Sequence, residues 1–313
     1  MKKRTLRVRA SITGALWVLV FALAGCSPQR GGDVDPSYLE EIAKWRQQRV
    51  EKLKDPSGWL SLVGLHWLHE GENVFGTDSS SAVVFPAGKG PAVMGTIAVE
   101  DSVVRVTISS GVDVFENGVP VTTAVLHHDQ EKGTKPTVLT HGTLSWFVIE
   151  RGGRLGVRVK DSESRALREF DGIENFPVDP RWRIEGVLEP HVPPRTVEIT
   201  NVFGDVTHEP SPGALVFEIG GKEYRLDPIA EPGDEELFVV FGDATNGKET
   251  YGGGRFVGVA RPDVNGKVVI DFNKAYNPPC AFSPYATCPL PPPQNRLPVA
   301  IRAGEMTYEK PGH

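Results

Sequence analysis

Side chains able to do chemistry crowd into the last third of the chain. The string Tyr251-Gly252-Gly253-Gly254-Arg255 places a guanidinium directly after three glycines. Backbone N–H groups free of side chains, next to a fixed guanidinium, can hold a carboxylate or a phosphate. The same glycines equally suit a bulge where another segment passes close to the backbone. Downstream, Asp271, Asn273, Tyr276 and Asn277 fall within Asp271-Phe272-Asn273-Lys274-Ala275-Tyr276-Asn277-Pro278-Pro279-Cys280, and Asn295 follows a proline-rich stretch. Such polar density at a strand end has two readings. The side chains line a pocket with Arg255, or they cap orphan backbone groups of the proline-rich loop as Asx turns. The candidate ligand-binding set is therefore Arg255, Asp271, Asn273, Tyr276, Asn277 and Asn295. No paired acid and base identifies a catalytic residue. A hydrolase or transferase would centre on Arg255, Asp271 and Tyr276. Asp243 and Glu249 suit solvent better than a carboxylate pair.

Cys280 and Cys288 accompany this region, and Cys26 is the third cysteine of the chain. In an oxidising compartment an even pair closing a short loop is most simply a disulfide. It would stabilise by roughly 2–3 kcal/mol and lock prolines that cannot join a ladder. A nucleophilic Cys280 would need His191 or His208 as base, and neither is near in sequence. Two cysteines without a neighbouring histidine do not match zinc spacing, so neither a metal nor another cofactor is expected.

The N-terminus sets the compartment. Lys2, Lys3, Arg4, Arg7 and Arg9 form a basic head, and Ala10 to Leu23 run without a charge. This is the pattern of a secretory signal, too short for a spanning helix of roughly 20 apolar residues. It ends in Leu23-Ala24-Gly25-Cys26, which resembles the lipobox of bacterial lipoproteins. The resemblance implies cleavage before Cys26, a diacylglyceryl group on its thiol and a fatty acid such as palmitate on the new amine. The expected location is the cell envelope, tethered to a membrane through Cys26. Ser27 rather than Asp points, by similarity to enterobacterial sorting, to the periplasmic face of the outer membrane in a diderm cell. A net charge of −6 argues against nucleic acid, which demands a basic face. The expected partners are the membrane and a small-molecule or envelope-protein ligand.

The elements that must position these residues are mostly strands. Residues 1–25 are the signal, and 26–56 hold a tether and one amphipathic helix. Asp35 is a good N-cap and Pro36 fits the first turn. Leu39, Ile42, Ala43, Arg46, Val50 and Leu53 fall at helical spacing, with Trp45 at the edge of the stripe. Residues 57–160 read as a β-sandwich. Val103 to Ile108 alternates, and Asn117-Gly118 is a strong type I′ hairpin signal. Residues 161–195 are a connector rich in turn formers, and 196–308 form a second antiparallel module. There Gly220-Gly221, Asn246-Gly247 and Asn265-Gly266 predict a meander curled into a barrel or small sandwich. The fold class is mostly β, behind an N-terminal helix.

Two resemblances refine this. The run from Gly254-Arg255-Phe256 to Ala303-Gly304-Glu305, with the cysteine- and proline-rich strings, resembles the bacterial domain-of-unknown-function family 1684. The resemblance extends over nearly the whole mature chain, including Trp59 to Gly71, and implies no particular reaction. Gly71-Glu72-Asn73-Val74-Phe75-Gly76, with the later Phe115-Glu116-Asn117-Gly118, is similar to the forkhead-associated fold. That family binds phosphothreonine through an arginine after the early glycine and a Ser-x-x-His loop. Here Thr77 follows Gly76 and residues 95–105 hold no such loop, so the fold alone carries over. The expected function is that of an envelope binding or scaffold protein, whose C-terminal module recognises a small anionic or saccharide ligand. An envelope hydrolase or transferase, or a forkhead-like interaction module, are the alternatives.

Overall fold

The computed structural model describes residues 34–308; the leader, Cys26 and most of the tether lie outside them. Helix α1 (Pro36–Lys54) starts where the sequence predicts, with the Asp35 carboxylate accepting from the Ser37 N–H and Lys52 and Lys54 in the last turn. Its buried face differs from the predicted stripe. Tyr38, Ile42 and Leu53 are buried, while Leu39 is 41% exposed. Periodicity alone does not separate Tyr38 from its neighbour Leu39. The Tyr38 hydroxyl donates to both oxygens of Asp271, at 2.9 and 3.0 Å, and this bond fixes the rotation of the helix.

The next strands are β1 (Leu62–Trp67), β2 (Gly71–Gly76), β3 (Val83–Val84), β4 (Gly95–Glu100), β5 (Val103–Ile108) and β6 (Phe115–Glu116). After them come β7 (Val119–Pro120), β8 (Thr123–Val125), β9 (Leu139–His141), β10 (Leu144–Arg151) and β11 (Arg154–Asp161). They form two sheets, ordered β1-β11-β10-β9-β6-β7 and β3-β2-β4-β5-β8. Alternation sorts the faces as expected, with Val104, Val106 and Ile108 inward and Val103, Arg105 and Thr107 outward. Asn117 and Gly118 both have positive φ, the requirement of the predicted type I′ turn. Phe75, Phe85 and Trp146 meet at centroid distances of 4.9–5.8 Å in the middle of this sandwich core.

Helix α2 (Arg165–Glu169) follows, and the chain then enters β12 (Arg183–Thr200). The second module thus starts inside the predicted connector. The turn formers Phe170-Asp171-Gly172, Asn175-Phe176-Pro177 and Asp179-Pro180 all precede β12, which itself holds Pro190, Pro193 and Pro194 and shifts register between Pro190 and Arg195. The remaining strands are β13 (Val206–Ile219), β14 (Lys222–Leu226), β15 (Glu236–Phe241), β16 (Arg255–Ala260) and β17 (Lys267–Asp271). One sheet runs β14-β13-β12-β17 and a second pairs β15 with β16. The Gly220-Gly221 turn closes a hairpin, but β17 pairs with β12 rather than β16. The module is therefore a half-barrel around Leu215, Val239, Phe241, Val257, Ile270 and Phe272, not a simple meander.

The tip of the β12–β13 hairpin reaches the sandwich. Phe203 packs edge-on against Trp67 at 5.9 Å, and Asp205 pairs with Arg154 at 2.9 Å. The Val202 N–H donates to the carbonyl of Cys288.

Candidate functional site

Arg255 opens β16 with its guanidinium wholly enclosed. It pairs with Asp243 at 2.8 Å, both side chains without exposure, and donates to the carbonyls of Ala303 and Ile301. Burial pushes its pKa down. A charge so enclosed, its two terminal nitrogens bonded and only Nε without a partner, holds the C-terminal loops in place and does not reach a ligand. The glycines before it match the close-approach reading. Gly254 has φ +86°, and a Cβ there would stand 2.3 Å from Pro291 Cγ and 2.7 Å from the Phe241 carbonyl.

Three of the predicted asparagines are likewise interior. Asn295 donates to the carbonyls of Asp227 and Val240 and accepts from the Asp227 N–H at 2.7 Å. Asn273 binds both backbone groups of Asp179. Asn277 donates from Nδ2 to the Met306 carbonyl, and its own N–H donates to Glu305 Oε2, each at 2.7 Å. These are the backbone-capping roles that the residue types allow. Arg255, Asn273, Asn277 and Asn295 are thus corrected from ligand contacts to structural clamps. Asp243 and Glu249 do not pair with each other; the latter meets Arg302 at 2.7 Å.

Asp271 and Tyr276 do reach a concave surface. They line a cleft of about 480 Å³ between α1 and the strands β15, β16 and β17, together with Trp45, Arg49, Arg183, Phe238 and Lys274. Asp271 sits at the end of β17, fixed by the Tyr38 hydroxyl and the Asn273 N–H. The backbone of Tyr276 pairs with that of Phe256 in β16, and burial pushes its hydroxyl pKa up. The Trp45 ring lies 6.3 Å from that of Tyr276.

Arg49 is the best-held cation of the cleft. Its Nε donates to Glu305 Oε1 at 2.9 Å and its Nη2 to the Asn277 carbonyl at 2.8 Å. The guanidinium lies over the Tyr276 ring at 4.8 Å and near that of Phe282 at 5.6 Å. Nη1 donates to no protein group among the described residues. Arg183 lies over the Tyr38 ring at 5.3 Å, and Lys274 pairs with Glu41 at 2.5 Å. Glu305, which orients Arg49, has its pKa raised by burial.

Residues 168–306 match the model of a family described as protein of unknown function (DUF1684). These residues belong to that family. The match starts at Arg168, so the likeness expected at Trp59 to Gly71 falls outside it. An uncharacterized protein of Haloarcula marismortui, solved by NMR, is 34% identical over 45% of this chain and 78% of its own, with a TM-score of 0.38. A structure from a study of phosphothreonine-dependent FHA domain interactions is 17% identical over 31% of this chain and 92% of its own, at a TM-score of 0.21. None of the curated proteins compared matches the chain.

The cleft uses DUF1684 residues for one wall and α1, outside the matched range, for the other. Sequence reasoning missed the second wall. Trp45, Arg49 and Lys52 follow a helical repeat on α1, and a stripe that mixes an aromatic with cations was the available signal. Among the described residues no cluster of three or more His, Cys, Asp or Glu side chains is gathered as a metal site requires. Cys280 and Cys288, in the DUF1684 part, are free thiols placed side by side, the Cys280 N–H donating to Cys288 Sγ at 3.0 Å. His191 instead faces Asp227 at 3.6 Å.

Proposed function

We propose that this is a lipid-anchored envelope protein that binds a small saccharide bearing an acidic group in the cleft beside α1. The observation that carries the reading is Arg49. Two protein acceptors and two aromatic rings hold its guanidinium, and one nitrogen remains for a carboxylate or phosphate oxygen. Preorganised, partly desolvated guanidinium groups bind such anions through strong charge-assisted hydrogen bonds. Trp45, Tyr276 and Phe238 supply apolar faces for a ring, and a few fixed polar groups among aromatics are what small-molecule sites need.

The membrane attachment through acylated Cys26, and an envelope location at the periplasmic face of the outer membrane in a diderm cell, belong to the same proposal. So does closure of Cys280 and Cys288 as a disulfide in that oxidising space. Fatty-acid labelling that persists in Cys26→Ala overturns the anchor.

Calorimetric titration of the purified protein with glucuronic acid, glucose and N-acetylglucosamine tests the cleft. Uronate binding weakened at least about tenfold by Arg49→Gln, as expected for loss of a charged hydrogen bond, supports it. Failure of all three sugars to bind, or binding indifferent to Arg49→Gln and Trp45→Ala, overturns it. Turnover of an envelope glycoside, lost in Asp271→Asn with the fold intact, moves the reading to the hydrolase or transferase.

A further inference from the structure

Arg158 is a cation inside the molecule with no carboxylate of its own. It lies on β11, only 4% exposed, between Trp59 at 5.2 Å and Phe147 at 6.0 Å. The adjacent carboxylate, Asp129, is taken by Arg151 at 2.7 Å. Nη2 of Arg158 donates to the Thr287 hydroxyl at 3.2 Å, while its Nε has no partner. Burial lowers its pKa to about 10, so the charge is present at neutral pH. A buried charge without a counter-charge is costly, and one is at hand. Thr287 is followed by Cys288, and both Cys288 and Cys280 are near enough to interact with the guanidinium electrostatically.

We propose that Cys280 and Cys288 form an exchangeable dithiol–disulfide site, with Cys280 as the attacking thiolate, Cys288 as the resolving thiol and Arg158 as the charge that stabilises the thiolate. The two cysteines differ in the way this requires. Cys280 is partly exposed and Cys288 is buried. Hydrogen bonding from Cys288 and the charge of Arg158 push the Cys280 thiol down, while that same hydrogen bond and burial push Cys288 up. The other ionisable groups facing the pair are Tyr251 and, behind Arg158, the Arg151–Asp129 pair. A protein that stabilises the thiolate stabilises its reduced form, and its disulfide is the more readily reduced for it. Arg158 therefore makes this pair exchangeable rather than a permanent staple.

The reaction needs a disulfide as oxidant, from a small molecule or another protein. The Cys280 thiolate attacks one sulfur of that disulfide and expels the other as a thiolate, leaving a mixed disulfide. Cys288, losing its proton, attacks Sγ of Cys280 and expels the second thiolate. Two thiols become one disulfide, the oxidant becomes two thiols, and the two protons pass from the cysteines to the oxidant's sulfurs.

The inference rests on the proposed closure of the pair but not on the cleft. Purified full-length protein is equilibrated with reduced and oxidised glutathione in varying ratio, alkylated and mapped by mass. The expected result is interconversion of the two forms within the glutathione range, with Arg158→Gln retaining its disulfide at a ratio about tenfold more reducing. In Cys288→Ser, which keeps Arg158, iodoacetamide should react with Cys280 at a pH midpoint below the ordinary thiol value of about 8.5. This profile decides the question if Arg158→Gln fails to fold. No disulfide at any ratio removes both the closure and the exchange. A disulfide that survives about 10 mM reduced glutathione, as resistant structural disulfides do, leaves the closure standing and overturns the exchange. So does an Arg158→Gln titration that matches wild type, or a Cys280 midpoint at or above that of a free thiol.

Discussion

The sandwich and the half-barrel stand side by side and are held together in different ways. In the sandwich, long ladders satisfy the backbone, and the core between the sheets is aliphatic and aromatic. Asn73 is a buried polar exception, tied to the backbone of His69, Gly71 and Ile97. The half-barrel has a similar apolar centre, but beyond β17 the chain runs through proline-rich loops that cannot build ladders. There, side chains do the work of ladders. Arg255 gathers the carbonyls of residues 301 and 303, Asn295 clamps Asp227 and Val240, and Asn277 ties residue 306. Dense polar residues at a strand end therefore mark backbone lacking partners as readily as they mark a ligand site.

Substitutions can break or sharpen this contrast. The largest effect is expected for Arg255→Met, which strands the Asp243 carboxylate and should cost about 3–5 kcal/mol. Adding Asp243→Asn, which removes the charge but keeps an acceptor for Thr245 and Ile301, should recover part of it, a coupling readable by urea denaturation of both single variants and the double. Asn295→Ala leaves buried backbone groups unpaired, and the same assay should show a loss of about 2–3 kcal/mol. In the sandwich, where apolar volume is what counts, Ile97→Val should cost only about 1 kcal/mol. A polar clamp cheaper to remove than that methylene would refute the contrast.

The acid side offers a smaller effect. Burial holds Glu305 above its ordinary value of 4.5, so the folded protein binds that proton more tightly than the unfolded chain. The stabilisation is complete below the unfolded value and is lost as pH rises through the folded one. Glu305→Gln should flatten that slope in urea midpoints measured between about pH 4 and 7. Smallest of all, Trp45→Ala on the half-exposed cleft wall should change stability by less than about 1 kcal/mol, while weakening uronate binding.

Local signals carried much of the fold. The alternation in β5, the Asn117-Gly118 turn and the Asp35 cap were legible because each depends on a few adjacent residues. The pairing of β17 with β12 was not, since Asn265-Gly266 makes a turn whichever strand β17 then joins. Only part of the candidate site was readable. Asp271 and Tyr276 stand on the cleft, but Arg255 looked like a ligand group because sequence does not show that Asp243 and the carbonyls of Ile301 and Ala303 enclose it. Trp45 and Arg49 were passed over because their wall exists only once Tyr38 sets the rotation of α1.

The hairpin tip that touches Trp67 has one more consequence. Residues 168–306 are what a family model recognises, yet cut out alone they would leave Phe203 without Trp67, Asp271 without Tyr38 and Glu305 without Arg49. The matched segment does not by itself complete these contacts. Relatives that share this segment but lack the preceding modules must cover those surfaces by other means.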